Sequence, residues 1–119
     1  TYARMARTGI PTVAIRGTPR TWFDVPACLS RRAAGLPFAA SCDYDRAAAL
    51  PRSAAAAQEA AARGLPVTLI DMNDRICAAA RSSPVVNGVV VFTDDNHLTA
   101  SFSRAQGPVL GARIATAVG

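Results

Sequence analysis

The amino-acid sequence predicts an α/β fold on three observations. Two short β-branched apolar runs, Ile10-Pro11-Thr12-Val13-Ala14-Ile15 and Pro66-Val67-Thr68-Leu69-Ile70-Asp71, have the length and content of buried parallel strands. An Ala-rich stretch with helical character separates them. A Val-rich hairpin signal and a further helical segment come after the second run. Helix, strand, long loop, helix, strand, hairpin, helix is the order of an α/β domain with right-handed crossovers.

Each element has a local reason. Residues 1–8 read as the tail of a helix, with Tyr2, Met5 and Ala6 at helical spacing and Gly9 where helices tend to stop. Residues 17–44 read as loop, punctuated by Gly17, Pro19, Pro26, Gly35 and Pro37, with two cysteines inside. From about residue 45 to 63 the chain is helical, with Pro51 forcing a break or a fresh start and Gly64 closing it. Val85-Val86-Asn87-Gly88-Val89-Val90-Val91-Phe92 predicts a hairpin, because Asn-Gly suits a type I′ turn. The last helix spans about 99–117, interrupted near Gly107-Pro108. No internal repeat is present. Two good parallel strands make a poor complete sheet, so residues 1–119 are expected to be the C-terminal portion of one larger α/β domain.

Composition narrows the functional classes. The chain has 119 residues and a formal net charge of +5, and at ~100–200 residues per domain it amounts to one domain at most. Half the residues are apolar, but 26 of these are Ala, so the core must come from a few Val, Ile, Leu and Phe clusters. No apolar run approaches the ~18–20 residues of a membrane span, and Thr1-Tyr2-Ala3-Arg4-Met5 does not begin a signal peptide. Thr1 is an odd place for translation to begin, so a longer parent is expected. All 13 basic residues are Arg, in keeping with a GC-rich coding sequence. They are scattered and not interleaved with aromatics, which argues against nucleic acid as a partner.

The stretch Phe92-Thr93-Asp94-Asp95-Asn96-His97-Leu98-Thr99 carries the chemistry. It holds the single histidine, three residues after a carboxylate, between the hairpin and the last helix. Imidazole is the side chain whose ordinary pKa allows a proton to be taken and returned near neutrality. At Asp-x-x-His spacing, Asp94 can fold back and accept a hydrogen bond from one ring nitrogen of His97. That would leave the other nitrogen as general base toward a serine hydroxyl. Thr99 is placed to cap the last helix. The competing reading is a polar turn whose histidine is incidental. A metal site from Asp94, Asp95 and His97 lacks a second His or paired Cys ligands and is disfavoured.

Asp-Asp-Asn-His-Leu-Thr at 94–99, after the Val-rich hairpin, resembles the last conserved block of SGNH/GDSL-type hydrolase domains. More closely, it resembles the extracytoplasmic SGNH domain fused to membrane O-acyltransferases of acyltransferase family 3. Val13-Ala14-Ile15-Arg16 before Thr18-Pro19-Arg20, Phe23-Asp24-Val25-Pro26-Ala27-Cys28-Leu29 with Cys42, and Leu69-Ile70-Asp71 before Ile76-Cys77 agree with it, over nearly the whole chain. The resemblance implies a three-layer α/β/α sandwich with a parallel sheet (SGNH hydrolase-like, flavodoxin-like), of which this chain is the C-terminal portion. It implies Asp94 and His97 as the catalytic Asp and His. The nucleophilic Ser in a Gly-Asp-Ser block, and the Gly and Asn of the oxyanion hole, are expected upstream. None of the serines here has that context. The implied partners are a membrane acyltransferase domain in the same parent chain and a polysaccharide or other hydroxyl acceptor, at the extracytoplasmic face of a bacterial membrane. No cofactor is expected on this chain, and acetyl-CoA or another acyl donor is implied for the membrane domain. Two departures stand out: Gly17, where relatives often carry a carboxylate or amide, and Ser83-Pro84, where they often carry a Cys that pairs with the equivalent of Cys77.

That resemblance further implies a disulfide between Cys28 and Cys42 with Cys77 free, against the alternative of three reduced cysteines. Trp22-Phe23 either line a substrate groove or fasten the loop to the sheet, with packing the favoured reading. Asp71 is expected to cap the next turn, and Arg16, Arg20 and Arg31 either meet an anionic glycan or face water. The rival functions are a secreted SGNH esterase with the same residues and a non-catalytic α/β binding module.

Overall fold

The structure is a computed structural model and describes residues 1–36 and 41–119. Pro37, expected to punctuate the loop, lies outside the described residues. In chain order the elements are α1 (Tyr2–Ala6), β1 (Thr12–Ile15), α2 (Val25–Ala33), β2 (Tyr44–Asp45), α3 (Arg46–Ala49), a 3₁₀ turn (Leu50–Arg52), α4 (Ala55–Ala62), β3 (Val67–Ile70), α5 (Asn73–Ile76), β4 (Arg81–Ser82), β5 (Val85–Val86), β6 (Val89–Val90) and α6 (Ala100–Val118). This is an α/β arrangement, as expected.

The two β-branched runs pair in parallel, with Thr12 opposite Val67 and Ile15 opposite Ile70. Arg16 N donates to Ile70 O at 2.8 Å and extends the ladder by one bond. Both strands therefore end side by side, and the segments that leave them, Arg16-Gly17-Thr18 and Asp71-Met72-Asn73, start from the same end of the pair. The strands are less buried than their composition predicts. Ile70 is 5% exposed, but Ile15 is 46% exposed. A β-branched apolar run specifies extended backbone; burial on both faces needs covering layers, and a two-stranded sheet in the described residues is too narrow to collect them.

Two other expectations are corrected. Within the loop read over 17–44, Val25–Ala33 forms a nine-residue helix. Asp24 caps it by accepting from Ala27 N at 2.8 Å, and Pro26 sits in its first turn, where a missing N–H costs nothing. Val25, Cys28 and Leu29 then turn inward at helical spacing, and Gly35 (φ +64°) lies just past the end. The second correction concerns α6, which runs through Gly107-Pro108 without interruption. Its far half is held from outside: Arg113 donates to Asp74 Oδ1 and Oδ2 (2.8 and 2.7 Å) and to Asp71 O (2.6 Å). Tertiary anchoring thus overrides the ~3 kcal/mol penalty of an internal proline.

The Ala-rich stretch breaks at Pro51, as expected, into α3, the 3₁₀ turn and α4. The hairpin pairs Val85 with Val90 and Val86 with Val89. Asn87 (φ +50°) and Gly88 (φ +74°) supply the two positive angles a type I′ turn requires. A short antiparallel ladder, Tyr44–Ser82 and Asp45–Arg81, joins β2 to β4.

The core lies beside the parallel pair. Val25, Tyr44, Ala49, Ile76, Cys77, Val91, Phe92 and Phe102 form one buried cluster, with Tyr44 and Phe92 edge to face at 6.0 Å. Cys28 and Cys42 are disulfide-bonded, 14 residues apart, and staple α2 to the segment entering β2. Cys77 is free and buried. Burial pushes both its thiol and the Tyr44 hydroxyl up.

Candidate active site

The Asp94–His97 turn is held at its base on both sides. Phe92 and Leu98 bridge as antiparallel partners, and Thr93 N donates to His97 O at 2.8 Å. Beyond the turn, Thr99 N donates to Val91 O (2.8 Å), and its hydroxyl donates to Val90 O (2.6 Å) while accepting from Phe102 N (3.1 Å). Thr99 is therefore the expected cap, and it locks the turn to both the hairpin and α6.

Inside the turn, Asp94 accepts three hydrogen bonds. Oδ1 accepts from Asn96 N and His97 N, each at 2.8 Å. Oδ2 meets His97 Nδ1 at 2.6 Å. The two backbone N–H groups, and then the imidazole, pull the Asp94 pKa down from 3.8 to about 2. A charged carboxylate at Nδ1 keeps the ring proton there and turns the lone pair to Nε2. The His97 side chain is 75% exposed, and among the described residues no hydroxyl bonds to its ring. Carboxylate and imidazole are thus paired, with Nε2 open.

The segment after β1 clamps this turn from a second direction. Thr18 Oγ1 donates to Asn96 O at 3.1 Å. Thr21, fully buried, donates from its backbone N to Asp95 O at 2.8 Å, and its hydroxyl is shared between Phe23 O at 2.7 Å and Asp95 O at 3.1 Å. Val25 N donates to Asp94 O at 3.2 Å, and Arg20 Nε meets Asp95 Oδ2 at 2.8 Å. Sequence reasoning missed this clamp. Its members lie some seventy residues from their partners, a separation at which no local periodicity carries a signal.

The remaining candidates divide. Asp71 caps the next turn, as expected, with Oδ1 accepting from Asn73 N at 2.8 Å. Arg16 is neutralised by Glu59 and Asp71, so it is not an open anion contact. Gly17 has a steric explanation: a Cβ there would stand 3.0 Å from Ala54 N and 3.2 Å from Ala55 N at the start of α4, so the position accepts no larger side chain without a shift. Trp22 and Phe23 part company. Phe23 packs on the core, whereas Trp22 is 48% exposed.

A family model described as the SGNH domain fused to AT3 domains matches residues 1–112. No curated protein and no solved structure matches the chain.

Proposed function

The chain belongs to the SGNH domains fused to AT3 domains, and from that premise we propose that it supplies the His-Asp part of a Ser-His-Asp site in a membrane O-acyltransferase. The observation that carries the proposal is the 2.6 Å contact of Asp94 Oδ2 with His97 Nδ1, beside an Nε2 left open to solvent. The nucleophilic serine and the oxyanion donors come from outside residues 1–119. On this reading β1 and β3 are two strands of a wider parallel sheet in a three-layer α/β/α sandwich, and the exposure of Ile10 (68%) and Ile15 (46%) supports it.

The geometry suits a two-step transfer. His97 Nε2 takes the serine hydroxyl proton as the serine oxygen attacks the acyl carbonyl, and Asp94 stabilises the imidazolium so formed. His97 returns the proton to the leaving group, which departs and leaves an acyl-serine. In the second half His97 takes the proton of an acceptor hydroxyl. That oxygen attacks the acyl carbon, the serine–acyl bond breaks, and the proton returns to the serine. An acyl group, typically acetyl, is supplied through the AT3 domain from acetyl-CoA or another donor, and the acceptor is a cell-envelope polysaccharide or other hydroxyl compound. The site works at the extracytoplasmic face, where the Cys28–Cys42 disulfide is at home. Among the described residues no helix is long and apolar enough to cross a membrane.

The test is His97→Ala and Asp94→Asn in the protein carrying this domain together with its AT3 domain. Each should lower acyl transfer by about 10³–10⁴-fold, with thermal unfolding unchanged in His97→Ala, whose ring is mostly exposed. Transfer left intact in His97→Ala would reduce the domain to a non-catalytic binding module.

A further inference from the structure

Trp22 is the chain's single tryptophan, and it is 48% exposed at the edge of the proposed catalytic turn. With Phe23, Asp24, Asp94 and Asp95 it lines an open groove of about 290 Å³, near the lower end of the ~300–1,000 Å³ typical of ligand sites. Asp94 is the partner of His97, so the groove shares a wall with the dyad.

The backbone on either side of the indole is held. Its chain neighbour Thr21 is bonded to Asp95 O, and Val25, three residues on, is bonded to Asp94 O. The contacts that clamp the catalytic turn therefore also set the position of Trp22. Phe23 meets the indole edge to face at 5.9 Å and anchors the pair on the core. Fastening the loop is thus done by Phe23 and Thr21, and the indole is left presented to solvent.

The polar lining is acidic and only partly used. Asp24 spends Oδ1 on Ala27 N, and Asp95 spends Oδ2 on Arg20. Among the described residues, the second oxygen of each has no hydrogen-bond partner. A half-exposed indole flanked by carboxylate acceptors suits a ring with one apolar C–H face and a rim of hydroxyl donors. Asp24, Asp94 and Asp95 together disfavour a carboxylate or phosphate on that ring.

We propose that Trp22, with Asp24 and Asp95, forms the acceptor subsite, a stacking platform for a neutral pyranose ring beside His97. The proposal rests on the acyl-transfer reading only for its use of the word acceptor; the binding itself requires no turnover.

The experiment is a titration of the protein carrying this domain together with its AT3 domain with the methyl glycosides of glucose, galactose, mannose and rhamnose. Binding is read from saturation-transfer NMR of the sugar, a readout that survives removal of the indole. At least one neutral glycoside should give saturable transfer, strongest at its C–H face. Trp22→Ala should weaken binding about tenfold or more, while Trp22→Phe, which keeps a ring, stays within about threefold. Methyl glucuronoside should bind about tenfold more weakly than methyl glucoside. No saturation with any neutral glycoside, or Trp22→Ala binding as well as Trp22→Phe, would overturn the platform. Saturation by glucosamine alone would make the groove an ammonium site and overturn it equally. None of these outcomes bears on the His97→Ala test of acyl transfer, so the two readings fail separately.

Discussion

Phe102 and Ile15 are both large apolar side chains, one 1% exposed and the other 46% exposed. Phe102 belongs to the half of the molecule built from α2, β2, the hairpin and the start of α6, where the buried cluster lies. Ile15 belongs to the half built from α1, β1, β3 and the far end of α6. Met5, Ile10, Ile15 and Val118, all exposed, lie in that second half. The chain is drawn out accordingly. Its radius of gyration is 16.5 Å, against about 13.5 Å for a compact domain of this length. The difference teaches where rigidity has been placed. The Asp94–His97 turn rests on the packed half, pinned by Phe92 and Thr99, while the parallel strands contribute the segment that reaches across to clamp it through Thr18 and Thr21.

The packed half and the bare half should respond differently to substitution. The largest stability effect is expected at Phe102→Ala, which opens a cavity in the cluster and should cost about 3–5 kcal/mol in chemical denaturation. A cost below about 1 kcal/mol would mean that the cluster does not hold the fold. Next is the staple on the same half. Reducing Cys28–Cys42 should cost roughly 3 kcal/mol for a loop of that size. Thiol titration of the denatured, unreduced chain should find Cys77 alone. Ile15→Ala, in the sparsely packed half, should cost less than about 1 kcal/mol. An effect equal to that of Phe102→Ala would erase the distinction between the halves.

The smallest effect concerns pH. Because the folded pKa of Asp94 is depressed, its contribution to stability is complete above the unfolded value of 3.8 and is lost as pH falls through about 2. Protonation of Asp94 itself, read from its carboxyl resonance, should therefore have its midpoint only at the acid end. A midpoint at the unfolded value would show that the turn is not formed.

The local signals were legible where the chemistry is local. Gly9, Gly64 and Gly88 stand where the backbone takes positive φ, Thr99 caps α6, and the Asp-x-x-His turn closes through bonds spanning two and three residues. Two prolines misled because a proline's effect depends on its position in a helix. Pro26 sits in a first turn, where it is welcome, and Pro108 sits in an interior that Arg113 holds from outside.

By itself, then, the sequence determined the α/β order, the two parallel strands, the hairpin and the pairing of Asp94 with His97. Each rests on backbone preference or on side chains within a few residues of one another. Only the tertiary structure decided that Thr18, Arg20, Thr21 and Val25 clamp the turn, that Phe23 is packed while Trp22 is presented, and that the strands lie partly bare. Those outcomes depend on which surfaces meet across some seventy residues of chain, and neither composition nor periodicity encodes such meetings locally.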